Sequence, residues 1–104
     1  MKERAESNLV EARIRQLENR RGDLWSAAGG AQFAANRCRE YLDGRRQPSD
    51  LAVALAAIEG VDWVEHYRTR MASRLADAAI AKARAKAISA ELRALRGAST
   101  DRRG

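Results

Sequence analysis

The chain has 104 residues, 20 Lys and Arg against 14 Asp and Glu, a formal charge of +6, 45% hydrophobic residues and one cysteine. That length bounds it at one domain, and the lone Cys38 excludes an intramolecular disulfide. No charge-free apolar run approaches the roughly twenty residues of a bilayer span, and the opening MKERAES lacks a secretory apolar core, so a cytoplasmic protein is expected.

Taken in chain order, the first element is a long helix from about Lys2 to Asp43. Val10, Ile14, Leu17, Arg21, Leu24, Ala28, Ala31, Ala35, Cys38 and Leu42 step by four and three without a slip, and all but Arg21 are apolar. The stripe crosses Gly22 and the pair Gly29 and Gly30 in phase, which favours an uninterrupted helix despite the cost of glycine there. Gly44 suits the left-handed residue after the last turn. Residues 44–49, with Arg45, Arg46 and Pro48, form the tip, and Ser49 or Asp50 caps a second helix running to about Arg96, where Gly97 ends it. Residues 98–104 read as a frayed tail.

The second helix carries its own stripe: Val53, Ala57, Gly60, Val64, Tyr67, Met71, Arg74, Ala78, Ala81, Ala85, Ile88, Leu92 and Leu95. The predicted fold is therefore all-α, a long antiparallel two-helix coiled-coil hairpin. A three- or four-helix bundle broken at Gly22, Gly30 or Gly60 is the alternative. Folding back between Gln47 and Pro48 sets Leu42 opposite Val53, Cys38 opposite Ala57, Ala31 opposite Val64 and Leu17 opposite Ala78. It also brings Arg21 and Arg74 to one level as a polar layer that pins register, with Glu18 and Asp77 to neutralise them. Gly29 and Gly30 fall near Trp63, where missing side chains would admit an indole.

A hairpin of two helices buries little, so an outer surface should be covered by another protein or a second copy. Leu51, Leu55, Ile58 and Val61 lie on a different side of the second helix from its seam; Phe33 and Tyr41 extend that face, and Arg45 and Arg46 edge it, as a partner-binding tip. Arg13, Arg15, Arg20, Lys82, Arg84, Lys86 and Arg93 make the terminal half a basic surface suited to an anionic partner. Few aromatics interleave with these cations, so base stacking is poorly supported.

No nucleophile, base and oxyanion donor assemble, and no glycine-rich phosphate loop is present, so no enzyme and no cofactor is expected. Asp62 and His66, four residues apart, are two ligands at most, so no metal centre is expected either. Arg37 and Arg39 flank Cys38 and would lower a thiol pKa, but its seam position suits a small buried apolar residue.

The architecture and the Ala- and Arg-rich run DAAIAKARAKAISAELRAL resemble the soluble stalk proteins of bacterial flagellar and type III secretion export. The resemblance implies a monomer whose paired termini, with Arg13, Arg15, Arg20, Lys82, Arg84, Lys86 and Arg93, enter a hexameric export ATPase. The tip, with Tyr41, Arg45 and Arg46, would meet an export-gate component. Two other readings stay open: a homodimer like Rop, binding nucleic acid through basic helix surfaces, and a self-assembling helical scaffold.

Overall fold

A computed structural model describes the backbone of residues 2–101 and the side chains of residues 6–98. Among the described residues the protein is all-α and has three helices, α1 (Lys2–Leu42), α2 (Asp50–Ile58) and α3 (Trp63–Asp101). The expected second helix is thus two, divided at Gly60, and its last part runs on through Gly97 to Asp101 rather than ending there. Gly22, Gly29 and Gly30 lie within α1 without breaking it.

Both stops are built the same way. After α1, Gly44 takes φ +76°, its amide donates to the Tyr41 carbonyl at 3.3 Å, and the Arg45 amide donates to the Glu40 carbonyl at 3.0 Å. After α2, Gly60 takes φ +75°, its amide donates to the Ala57 carbonyl at 3.0 Å, and the Val61 amide donates to the Ala56 carbonyl at 2.9 Å. Each is a Schellman closure, in which a left-handed residue without Cβ turns two amides back onto otherwise unpaired carbonyls. Ser49 caps α2, its hydroxyl accepting the Ala52 amide at 3.1 Å. At the start of α3 the Asp62 carbonyl accepts the His66 amide at 2.8 Å, and Glu65 lies in the first turn, where the helix dipole favours an acid.

The chain divides into two compact units. Unit 1 joins α1 up to Ala27 with α3 from Ile80 onward. Its centre is aliphatic: Leu17, Ile88 and Leu92 are buried together, Leu92 completely, and Ile14, Leu24 and Leu95 pack around them. Ala81 and Ala85 are buried in the same stretch of α3.

Unit 2 spans Ala28–Ala79 and holds the rest of α1, all of α2 and the start of α3. Its buried residues are mostly small: Ala28, Ala35, Cys38, Ala56 and Ala78, with Tyr67 the one large ring. Tyr41 stacks on Tyr67 with centroids 4.7 Å apart, and Trp63 meets the edge of Tyr67 at 6.3 Å.

All ten positions of the α1 stripe are buried or half-buried. The second stripe holds from Val64 to Leu95, whereas Val53, Ala57 and Gly60 are exposed. In α2 the inward positions are instead Ala52 and Ala56. Gly60 resets the phase, so a count carried across it picks Val53 and Ala57 where Ala52 and Ala56 face inward.

The expected register is corrected in both units. Leu17 packs with Ile88 and Leu92, roughly three turns or more beyond Ala78. The cations acting on Cys38 are Arg70 and Arg74, far along from Ala57. One cause accounts for both shifts: the connection between α1 and α3 is not a four-residue tip but the whole segment from Asp43 to Asp62, with α2 inside it.

The polar layer is not formed. Arg21 donates to Ser89 Oγ at 3.4 Å in unit 1, and Arg74 lies 3.9 Å from Asp77 in unit 2. Glu18 pairs with Arg96 on α3. Nothing stands within 4 Å of where a Cβ would be at Gly29 or Gly30, so no indole occupies that space.

Candidate functional site

Two surfaces carry the chemistry, one in each unit. In unit 2, α2 has the sequence DLAVALAAI, with one charged residue, so it has more apolar surface than its single inward edge can use. Ala52 and Ala56 satisfy that edge. Leu51, Leu55 and Ile58 are left 69%, 52% and 80% exposed, and Val53 and Ala54 are exposed as well. Contiguous exposed side chains of this size, unlike scattered single ones, mark an interaction surface. The structure thus leaves exposed three of the residues expected at the partner-binding tip. Val61, assigned to the same stripe, is half-buried at the Gly60 closure.

The rest of the expected tip makes contacts within its own chain. Tyr41 is half-buried and stacks on Tyr67. Arg46 Nε lies 2.9 Å from a Glu40 oxygen, and Arg45 lies 3.6 Å from Asp43. Phe33 is exposed in unit 2, with the Arg37 guanidinium 5.4 Å from its ring centre.

Charge is divided sharply between the units. Unit 2 contains seven arginines and seven acids, so the entire +6 lies in unit 1, with its remaining 13 Lys and Arg against 7 acids. Arg13 is tied to Glu91 at 3.3 Å and to Gln16 at 3.0 Å. Arg15, Arg20, Lys82, Arg84, Lys86 and Arg93 are exposed, and among the described residues none of them forms an ion pair within the chain. Sequence reasoning passed over three exposed apolar residues of unit 1, Leu9, Trp25 and Ile80, because each stands off the seam with no neighbour in phase.

Two side chains of unit 2, the Cys38 thiol and the Tyr67 phenol, are held toward their neutral forms. Burial pushes the Cys38 thiol up, outweighing Arg70 and Arg74, and burial with Tyr41 and Cys38 nearby pushes the Tyr67 phenol up. Arg37 and Arg39, adjacent in sequence, are not the cations that act on the thiol. His66 Nδ1 lies 3.7 Å from Glu59 and its ring meets the edge of Tyr67 at 5.4 Å. No three ligating side chains come together among the described residues. No described helix is long and apolar enough to cross a membrane. No protein-family model matches the chain, and no curated protein or solved structure matches it either.

Proposed function

We propose that the protein is a non-catalytic helical adaptor that holds an anionic macromolecule on unit 1 and a second protein on the apolar face of α2. The observation that carries this reading is the segregation itself: the whole net charge in one unit, and the cluster of exposed Leu51, Leu55 and Ile58 in the other. A charged surface steers and selects its partner, while an apolar patch supplies affinity, so the two surfaces suit two different occupants.

The finer reading follows the resemblance to export stalk proteins. The anionic partner is then a hexameric export ATPase met by Arg13, Arg15, Arg20, Lys82, Arg84, Lys86 and Arg93, and α2 meets an export-gate component. Pull-down of such an ATPase at physiological salt tests it. Retention by the wild-type chain and loss with Lys82→Glu, Arg84→Glu and Lys86→Glu together is the expected result; binding that ignores the triple reversal contradicts it.

The basic unit also favours a second reading, a nucleic-acid-binding homodimer of the Rop kind. Salt-sensitive retention on RNA or DNA by a stable dimer would select it over the first.

A further inference from the structure

Resting on the reading of α2 as a docking surface, we infer that its occupant is a basic amphipathic helix of another protein. Two features of this surface define that chemistry, one apolar and one charged.

Leu51, Ala54, Leu55 and Ile58 recur at three- and four-residue spacing and are all exposed, so they form one apolar strip along α2. Ala54 lowers the strip at its middle, where a crossing helix can approach closely. A strip of this length fits the apolar face of a single helix, whose own leucines or isoleucines recur at the same spacing.

Acids bracket the strip. Asp50 stands in the first turn of α2 and Glu59 at its C-terminal cap, with Asp43 before it and Asp62 and Glu65 after it, all exposed. From Glu40 to Glu65 there are six acids and two arginines, and both arginines already touch acids of their own chain, Arg45 Asp43 and Arg46 Glu40. The segment that carries the strip is therefore net acidic, although the unit as a whole is neutral. Lysines and arginines flanking the occupant's apolar face would meet these carboxylates at the rim.

The same charge disfavours the other candidates. Anionic lipid and nucleic acid would be repelled from this end of unit 2. Two copies joined α2 to α2 would set acid against acid, and antiparallel packing does not relieve this because both ends of α2 carry carboxylates. This chain's own basic helices offer no matching strip either, since the apolar stripe of α1 and that of α3 from Val64 are turned inward and Leu9, Trp25 and Ile80 stand exposed singly.

A labelled synthetic helix with leucines on one face and lysines on the other, titrated with the full chain by fluorescence anisotropy, tests the inference. We expect binding that weakens by about 10-fold or more with Leu55→Gln or Ile58→Gln, both exposed positions that leave the helical circular dichroism unchanged. Asp50→Asn with Glu59→Gln should weaken it several-fold and reduce its salt dependence. Binding that is indifferent to Leu55 and Ile58 overturns the inference, as does absence of binding. Sedimentation showing that the chain alone associates through Leu55 also overturns it, by making a second copy the occupant, and so does flotation of the chain with phosphatidylglycerol vesicles in a Leu55-dependent way. The ATPase pull-down depends on unit 1, so its failure and this one are separately visible.

Discussion

Unit 1 and unit 2 share α1 and α3 yet differ in what they bury and in what they show. Unit 1 buries Leu17, Ile88 and Leu92 and displays cations; unit 2 buries alanines, a thiol and a tyrosine and displays leucine and isoleucine. A fully buried leucine contributes about 1.5–3 kcal/mol and a buried methyl about 0.8 kcal/mol. Unit 1 holds the buried leucines and isoleucine, and unit 2 leaves Leu51, Leu55 and Ile58 outside. The difference teaches that the exposed apolar face follows from which residues of α2 are turned inward. Alanine at the inward positions Ala52 and Ala56 puts the larger side chains of α2 on the surface.

The largest expected effect sharpens this contrast. Leu92→Ala, at a fully buried position, should cost about 3 kcal/mol in chemical denaturation, whereas Leu55→Ala should leave the stability of the free chain within about 0.5 kcal/mol. Comparable losses from both would mean that α2 is buried after all. Next is Gly60→Ala. A Cβ there meets no neighbouring atom, but φ +75° costs a side-chain-bearing residue about 1–2 kcal/mol, and the loss should concentrate in unit 2 when read by hydrogen exchange.

Alkaline titration probes the same unit more gently. The thiol of Cys38 and the phenol of Tyr67 have pKa values raised in the folded state, so their contribution to stability is whole at neutral pH and is lost as pH rises through the folded values. Thermal stability should begin to fall above about pH 9, where an unfolded thiol ionises, and Tyr67→Phe should flatten the part of the fall above about pH 10. A profile unchanged by Tyr67→Phe would remove the phenol from the interior. Smallest is a gain: Gly29→Ala, inside α1 with open space around the added methyl, should stabilise by about 0.5–1 kcal/mol.

Much of this was legible in the sequence, and the failures share one origin. The α1 stripe, the stop at Gly44, the cap at Ser49 and the apolar strip Leu51, Leu55 and Ile58 all follow from strong local signals. Bulky residues such as Leu17 and Leu24 fix phase because exposing them is costly. In α2 the four alanines, Ala52, Ala54, Ala56 and Ala57, fit any phase, so a four-three count could pass through Gly60 unopposed. The signals against it were present: a glycine followed by Asp62 and, three residues on, Glu65 is the pattern of one helix stopping and another being capped. Missing that break displaced the register, and with it came the false arginine layer and the supposed seat for Trp63. The stacking of Tyr41 on Tyr67 was not legible for a different reason, since no local pattern foretells that one ring will meet another from a distant helix.

The division of binding chemistry between the units is tested most directly by amide chemical shifts of the full chain during two titrations, one with a short polyglutamate and one with the leucine-lysine helix. The account predicts that polyglutamate moves amides beside Arg15, Arg20, Lys82, Arg84 and Lys86, and that the basic helix moves those from Asp50 to Glu65. Polyglutamate shifts centred on α2, or basic-helix shifts centred on unit 1, would contradict it.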